Sequence, residues 1–295
     1  DTQSADETVR ALAAQLDGRL TRKVVKQTVM TTVYGVTFVG ARDQIERRLR
    51  ELPELKAEIA DDRRFTELAT YCARLTLASL GEVFEPAMVA MDWLAHGARI
   101  IGKDSQAPVE WTTPLGLPVV QPYHKPLNKP IKTILQCMNL ADSADPSQPA
   151  DVRRQVMALP PNYVHSLDSS HMLMTASACR QEGIAFAAVH DSYWSHACDV
   201  DKMNAILREQ FVALHKPNLL EKLYDEWRAR YTCCRGEGAA CADFNRVDMK
   251  GPERCSTPGC QRVRWDDSRS RALLAMPARG DLNIDVVKES TYFFA

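Results

Sequence analysis

Apolar residues in the first hundred positions recur every three to four residues, which is the period of amphipathic helices. Gly18 interrupts this pattern, Pro53 stands where a helix would kink or stop, and Gly81 is expected to end another helix. With these interruptions, the pattern predicts helices over residues 5–17, 21–34, 41–60, 62–80 and 84–101.

The pattern changes at residue 111. Five prolines fall between residues 114 and 130, so a long helix is excluded there and extended strands or a hairpin are favoured. Residues 142–150 are typical of a loop. Further helices are predicted over residues 168–181, 199–215 and 217–231, and a short one is expected in the C-terminal tail. Asp168 or Ser169 is the predicted N-cap of the first of these.

A short apolar run at residues 184–189 is followed directly by His190, Asp191 and Ser192, then by two aromatic residues. This order predicts a strand, a tight turn and a second strand, with Asp191 at the tip. A carboxylate in that position is either a turn residue that satisfies its own backbone or a metal ligand. On this segment alone the turn role is favoured, because aspartate is common in turns.

Arg22, Lys26, Met30 and Tyr34 are spaced four residues apart, and Gly35 follows directly. In a helix, residues at this spacing rotate by only about 40°, so the four side chains would share one stripe. Two cations at one end and an aromatic hydroxyl at the other could hold a polyphosphate and a sugar or base. The alternative is a solvated basic face followed by two core residues.

The chain has 295 residues, 45% of them hydrophobic and 25% charged, which suits a globular protein with a large core and two lobes. No apolar run approaches the roughly 18 residues that cross a membrane, so no membrane partner is expected. The net charge of −1 does not by itself indicate nucleic-acid binding. Residues 111–141, however, contain lysines and no acidic residue, which favours contact with phosphate. The first residues lack a Met and the features of a signal or transit peptide, so targeting information is expected upstream.

The nine cysteines fall into two sets. Four are scattered through apolar or helical contexts and are predicted to be buried thiols: Cys72, Cys137, Cys179 and Cys198. Five fall within one short stretch: Cys233, Cys234, Cys241, Cys255 and Cys260. This second set could supply a closed tetrahedral set of thiolates for zinc. It lacks paired Cys-x-x-Cys knuckles, so an insertion with free thiols is favoured over a zinc site.

Several segments, taken in order, resemble the C-terminal portion of single-subunit, bacteriophage-type RNA polymerases, and most closely their mitochondrial branch. The segments are RKVVKQTVMTTVYG, DWL, WTTPLGLPVVQPY, PNYVHSLDSSHM, AFAAVHDSYW and the terminal PARGDLN and YFFA. The resemblance covers nearly the whole chain apart from roughly 233–270. Met30 and Ser192 resemble the RNA-polymerase version of these motifs, since related DNA polymerases carry an aromatic residue and a glutamate there.

The resemblance implies a mostly α, α/β fold of the right-hand polymerase type, with C-terminal fingers and part of the palm. Fingers would cover residues 1–167, and a hairpin at 118–140 would lie near the upstream DNA. The C-terminal palm portion would cover residues 168–295, with a short β-hairpin that bears the catalytic aspartate. The cysteine-rich stretch at 233–270 would be an insertion in the palm.

The resemblance also implies the chemistry of the site. Asp191 would be one of the carboxylates that hold two Mg²⁺ ions, the arrangement that phosphodiester formation needs. Arg22 and Lys26 would neutralise the incoming triphosphate, and Lys26 would assist the pyrophosphate leaving group. His190 would orient the turn rather than act on the substrate.

The remaining positions of the motif would contact the rest of the substrate. Tyr34 would lie at the sugar and help to require a 2′-hydroxyl, and Met30 would pack near the nascent base pair. Gly35 would let the template base approach the backbone. His171 would contact the RNA end or the substrate sugar, the alternative being an ordinary histidine at a helix N-terminus.

One catalytic part of the family is missing from this sequence. The Asp-Gly-Ser motif with the first catalytic aspartate is not present, so this chain alone is expected to be inactive. The implied partners are a DNA template, nascent RNA, ribonucleoside triphosphates and mitochondrial transcription initiation factors, and the implied location is the mitochondrial matrix. The alternatives are a related DNA polymerase and a non-catalytic nucleic-acid-binding remnant.

Overall fold

Two compact units, Asp1–Asp92 and Trp93–Ala295, divide the chain. The computed structural model describes residues 6–32, 34–59, 61–104, 106–142, 148–231, 253–254, 263–264 and 275–293. These residues are mostly helical, and their strands form only short antiparallel hairpins. The predicted fold class, mostly α with a short β-hairpin, is confirmed.

The first unit is helical in its described part. Its helices are α1 (Glu7–Leu16), α2 (Arg22–Thr32), α3 (Phe38–Leu49), α4 (Pro53–Glu58) and α5 (Asp62–Val83), and α6 (Glu85–Asp104) begins within it.

The predicted breaks between these helices are confirmed at two positions. Gly18 has a φ of +71° and separates α1 from α2, since glycine adopts this left-handed conformation without a steric penalty. Pro53 occupies the first turn of α4, where its missing N–H has no helical partner to lose. The expectation at Gly81 is wrong, because α5 continues through it to Val83. A single glycine costs a helix only about 1 kcal/mol, which the packing of α5 offsets.

Packing between α3 and α5 forms the core of the first unit. Ile45, Leu49 and Leu68 have no exposed surface, and Phe65 is 4% exposed. Cys72 lies in the same core, where burial raises the pKa of its thiol to about 11. The prediction of a buried thiol is confirmed at this position.

The strands pair two by two, each hairpin forming its own antiparallel sheet. The pairs are β1 (Glu110–Thr112) with β2 (Pro118–Val120), β3 (Leu127–Lys132) with β4 (Cys137–Asp142), β5 (Ala187–Val189) with β6 (Ser192–Trp194), and β7 (Glu253–Arg254) with β8 (Val263–Arg264). The predicted extended excursion after residue 111 is therefore confirmed.

The helices of the second unit include one that begins earlier than the sequence pattern predicts. They are α7 (Val152–Gln181), α8 (Val200–His215) and α9 (Leu219–Tyr231), with short 3-10 helices at Ala197–Asp199 and Ile284–Lys288. The predicted N-cap at Asp168 or Ser169 is wrong: α7 begins after Asp151, whose carboxylate accepts from two backbone amides. Pro160 and Pro161 lie inside the helix.

The second unit is built on a core of large aromatic side chains. The rings of Trp93 and Trp227 stack with centroids 5.6 Å apart, and Trp111 meets Tyr163 edge-on at 6.2 Å. Tyr163 and the fully buried Leu159 both lie on α7 next to the two prolines. Their burial stabilises a helix that the local sequence disfavours.

The predicted boundary between residues 167 and 168 lies within α7. The division into fingers and palm therefore stays a prediction. Among the described residues, no helix combines the length and the apolar character that a membrane crossing needs.

Candidate functional site

The outward face of α2 carries the predicted stripe. Arg22 and Lys26 are exposed, and 57% of the Met30 surface is accessible. On the opposite face, Val24 and Thr28 are buried, so the register of the helix is fixed by its inner side. The exposure of Met30 rules out the alternative in which it is a core residue of this unit.

Hydroxyl groups on α2 bond to a glutamine on α3. Thr28 donates from Oγ1 to Oε1 of Gln44 at 3.2 Å, whereas the Thr31 hydroxyl lies at the same distance from that oxygen and closer, at 2.9 Å, to the Gln27 carbonyl. These directional bonds fix the rotation of α2 about its axis. The stripe of cations is therefore held on the exposed face.

The C-terminal end of α2 is closed by a glycine-based cap. The Gly35 amide donates to the Thr32 carbonyl at 3.0 Å, and the Val36 amide donates to the Thr31 carbonyl at 3.2 Å, which is the Schellman pattern. Gly35 has a φ of +76°. Tyr34, predicted to end the helix, lies in the turn that follows α2 and is 40% exposed.

The two cations of the stripe are available for an anion. Within the described residues of the first unit, ion pairs form elsewhere, for example between Arg19 and Glu58, and none involves Arg22 or Lys26. Two cations four residues apart on a helix repel each other slightly and contribute no stability. A bound polyphosphate would relieve that repulsion.

In the second unit, the predicted strand–turn–strand is confirmed. The ladder closes at the pair Val189 and Ser192, which leaves His190 and Asp191 as a two-residue loop. Asp191 is exposed at the tip, and His190 has a φ of +53°, in the left-handed region that few residues other than glycine adopt. Two-residue hairpin loops commonly need such a positive φ, so this geometry places Asp191 at the tip of the hairpin.

The hairpin rests on a small core next to α7. Its Tyr193 ring lies 5.4 Å from the ring of Phe186, and Cys179 is buried beneath. Burial raises the pKa of Tyr193, and the carboxylates of Asp168 and Asp191 raise it further. The negative charges of Asp168 and Asp191 therefore both disfavour ionisation of the Tyr193 hydroxyl.

The sequence pattern predicts Asp168 only as a helix cap. The structure places it in the middle of α7, exposed and three residues before His171. That spacing puts the two side chains on the same side of the helix. The spacing is visible in the sequence once the helix is known to continue through Pro160 and Pro161.

His171 lies inside the second unit. It is 5% exposed, its Nε2 donates to the Leu207 carbonyl on α8 at 2.9 Å, and its ring meets Phe211 edge-on. The alternative of a histidine at a helix N-terminus is wrong, since His171 lies far inside α7. Its contact with the substrate stays a prediction.

Asp191 fits a magnesium site in part. Its carboxylate offers the oxygen ligands that Mg²⁺ prefers, and Mg²⁺ is commonly held by one or two carboxylates together with substrate phosphates and water. In the described part of the chain, no three His, Cys, Asp or Glu side chains cluster as metal ligands. Asp191 therefore suits one ligand position of a site that needs further ligands.

The thiol predictions have mixed outcomes. Cys179 is buried as predicted, whereas Cys137 and Cys198 are exposed and those two predictions are wrong. Both lie in short local elements, a hairpin strand and a 3-10 turn, which do not cover them. The five cysteines proposed for zinc, Cys233, Cys234, Cys241, Cys255 and Cys260, lie outside the described residues.

A family model for DNA-dependent RNA polymerase matches residues 1–295, the whole chain. The chain belongs to this family. The family match confirms the resemblance to single-subunit, phage-type RNA polymerases and disfavours the DNA polymerase alternative.

Several plant RNA polymerases are similar to this chain. Tobacco DNA-directed RNA polymerase 2B, chloroplastic/mitochondrial, is 54% identical over 222 residues, which cover 75% of this chain and 21% of that protein. Arabidopsis thaliana DNA-directed RNA polymerase 2, chloroplastic/mitochondrial, is 43% identical over 282 residues, which cover 96% of this chain and 23% of that protein. Tobacco DNA-directed RNA polymerase 1B, mitochondrial, is 45% identical over 285 residues, which cover 97% of this chain and 24% of that protein.

This member of the RNA polymerase family spans about a fifth to a quarter of the length of those three relatives. Their names refer to chloroplasts, to mitochondria or to both, so the comparison indicates organellar polymerases without separating the two organelles.

Proposed function

We propose that this chain is the part of a DNA-directed RNA polymerase that grips the incoming ribonucleoside triphosphate and supplies one metal-binding carboxylate. The observation that carries the proposal is Asp191, exposed at a two-residue hairpin loop, in a chain that matches the polymerase family along its whole length.

The side chains of α2 bind the nucleotide. The Arg22 guanidinium forms a fork for two phosphate oxygens, and the Lys26 ammonium adds a compact charge one turn further along the helix. Lys26 donates a proton or a hydrogen bond to the pyrophosphate as it leaves. Met30 packs against the nascent base pair.

The turn after α2 reads the sugar and the template. The Tyr34 ring limits the space at the sugar position, and its hydroxyl forms a hydrogen bond with the ribose 2′-hydroxyl. Gly35 has no side chain, and the space where one would project is open, so a template base can approach its backbone. His171, in the second unit, contacts the RNA end or the substrate sugar.

Asp191 provides an oxygen ligand for Mg²⁺. The two ions, when bound, supply charge neutralisation at the triphosphate and lower the pKa of the attacking 3′-hydroxyl. The hairpin holds this carboxylate on an exposed tip. The other catalytic aspartate is absent from this sequence, so the chain needs a further segment to complete the site.

The partners of the whole enzyme would be a DNA template, nascent RNA, ribonucleoside triphosphates and transcription initiation factors. The hairpin region at 118–140 would lie against the upstream DNA. The mitochondrial matrix is the proposed location, supported by the mitochondrial names among the relatives.

The test is extension of a preannealed RNA primer on a DNA template by the full-length polymerase. The Asp191→Asn variant should lose at least about a thousandfold in rate, because a metal ligand of the transition state is removed. Asp225→Asn is the matched control, since Asp225 is an exposed carboxylate on α9. Extension by the Asp191→Asn variant at the control rate would refute the metal-binding role of Asp191, whereas absence of extension by the unmodified full-length protein would favour the non-catalytic remnant.

The isolated 295-residue chain should give no extension under the same conditions. Synthesis by the isolated chain that depends on Asp191 would show that one carboxylate of this kind is enough, and would contradict the incomplete-site proposal.

A further inference from the structure

The hairpin of β5 and β6 has two different faces, because side chains alternate along each strand. One face, here called the outer face, carries four exposed residues: Ala187, Val189, Ser192 and Trp194. On the other face, Ala188 and Tyr193 are half-buried, and Tyr193 packs on the core that contains Cys179. A partner that approaches this hairpin therefore meets the outer face.

Trp194 is the largest side chain of the outer face. It is 52% exposed, and its cross-strand neighbour is Ala187, which is too small to cover an indole ring. Val189, which is 60% exposed, lies on the same face next to the loop. Two apolar side chains are thus left in solvent on the strands that carry the loop of Asp191.

The indole N–H of Trp194 is also left to solvent. Trp111 and Trp227 donate from Nε1 to the Ser166 hydroxyl and the Glu110 carbonyl. Within the described residues, Trp194 has no such acceptor. An exposed tryptophan of this kind offers a flat apolar surface and one hydrogen-bond donor.

Asp191 indicates what this surface meets. In an RNA polymerase, a carboxylate that binds Mg²⁺ lies where the 3′-hydroxyl of the nascent RNA is activated. Trp194 is three residues further along the chain, which corresponds to roughly 10 Å at about 3.3 Å per residue. A duplex rises by about 3.4 Å per nucleotide, so two or three nucleotides of the RNA span that distance.

The chemistry of the outer face suits a sugar rather than a phosphate. None of its four side chains is charged. The minor groove of an A-form duplex is wide and shallow and displays the 2′-hydroxyls of the RNA strand. An indole ring can pack on the apolar side of a ribose there, and its N–H can donate to the 2′-hydroxyl oxygen.

We propose that Trp194 packs against the ribose of the nascent RNA two or three nucleotides before its 3′ end, and that its indole N–H donates to the 2′-hydroxyl of that ribose. Trp194 thereby favours RNA over DNA as the strand that is extended. This proposal rests on the proposed polymerase function, which brings the RNA end to Asp191.

The test is primer extension by the full-length polymerase on a DNA template, with a single 2′-deoxynucleotide placed at successive positions of the RNA primer. With the wild type, a deoxynucleotide two or three positions from the 3′ end should raise the KM for the primer about fivefold, because one neutral hydrogen bond is lost. Trp194→Phe keeps an aromatic ring without an N–H. This variant should show no increase in KM at those positions.

Trp194→Ala removes both the ring and the donor, so the KM for an all-RNA primer should rise about tenfold. The kcat at saturating primer and the KM for the nucleotide should stay close to wild type, because Asp191 and α2 are unchanged. The matched control is Phe84→Ala, which truncates a 47% exposed aromatic residue of the first unit and should behave like the wild type.

The kinetic constants keep the two proposals distinguishable. Loss of Asp191 should abolish extension, whereas loss of Trp194 should change the KM for the primer. A wild-type KM for the primer in Trp194→Ala, together with inactive Asp191→Asn, would overturn the Trp194 contact alone. Equal sensitivity of the wild type and Trp194→Phe to the deoxynucleotide would also overturn it.

Urea denaturation of the full-length polymerase provides the last comparison, because exposed apolar surface also marks contacts with other protein segments. A lower unfolding midpoint for Trp194→Ala, with an unchanged KM for the primer, would assign the outer face to a contact within the polymerase and overturn the RNA contact.

Discussion

His171 donates from Nε2 to the carbonyl oxygen of Leu207, at a distance of 2.9 Å, across the contact between α7 and α8. A carbonyl oxygen only accepts hydrogen bonds, so Nε2 carries the proton. A substrate contact by this ring would therefore use Nδ1 or follow release of the bond to α8. Phe211 lies edge-on to the same ring with centroids 5.6 Å apart, and it also contacts Phe293 of the C-terminal tail at 5.0 Å.

Replacement of His171 should separate its structural role from its substrate role. His171→Ala should lower the free energy of unfolding by about 2 kcal/mol, because the hydrogen bond from α7 to the Leu207 carbonyl is lost and Phe211 loses a ring contact. His171→Gln, which can still donate to that carbonyl, should recover most of the loss in urea denaturation. If the glutamine variant of the full polymerase also has a wild-type KM for the nucleotide, the predicted substrate contact is wrong.

Tyr34→Phe should relax discrimination against deoxynucleotides by about tenfold, the value of one neutral hydrogen bond to the 2′-hydroxyl. The aromatic ring stays, so ribonucleotide incorporation by the full polymerase should be close to wild type. The measurement is competition between a ribonucleotide and its deoxy counterpart on one template. Tyr292→Phe, at an 87% exposed tyrosine, is the control, and equal selectivity in the two variants would refute the role of Tyr34.

Gly35→Ala should destabilise the first unit by roughly 1 kcal/mol, because an alanine at a φ of +76° is strained even though the surrounding space is open. Gly81→Ala provides the opposite case in the same unit. It lies inside α5 with open space at its Cβ position, so alanine should stabilise the helix by about 1 kcal/mol. Equal effects of the two changes on thermal unfolding would exclude a conformational requirement at Gly35.

Acid should weaken the packing of α8 through His215. Burial lowers the pKa of His215, nearby His171 lowers it further, and Asp168 opposes both. The folded state therefore binds fewer protons than the unfolded state, whose histidine titrates near about pH 6.5. The stability from this residue is present above that pH and is lost as the pH falls through the lower, folded pKa.

The urea concentration at the unfolding midpoint should therefore decrease as the pH is lowered below about 6.5. His215→Phe should make that decrease smaller. The phenylalanine keeps a ring next to Phe211, which lies 4.4 Å from the His215 ring between centroids. Exposed His165 serves as the control position, through His165→Gln. An unchanged pH profile in the His215→Phe variant would assign the acid sensitivity to other groups.

Local chemistry explains which elements the sequence predicts correctly. The breaks at Gly18 and Pro53, and the loop of His190 and Asp191, depend on backbone preferences within a few residues. The outward stripe of α2 follows from helical period alone. These features are visible in the order of residues because no distant contact is needed to form them.

The wrong predictions share a different cause. The sequence pattern predicts the start of α7 too late, because Pro160 and Pro161 disfavour a helix. Burial of Leu159 and Tyr163 in the aromatic core outweighs that preference. Cys137 is predicted to be buried, yet it is exposed, as are all the residues from 130 to 138 of its hairpin. Long-range packing decides such positions, and the sequence pattern does not contain it.

Directional amide bonds hold the base of the β3–β4 hairpin. Asn162 donates to Gln121 Oε1 at 3.0 Å, and the Val109 amide donates to Gln155 Oε1 at 3.1 Å, so these buried glutamines bond to neighbours outside the hairpin. A hairpin of another sequence, grafted between Lys125 and Pro149, would therefore leave the amide bonds beneath it in place.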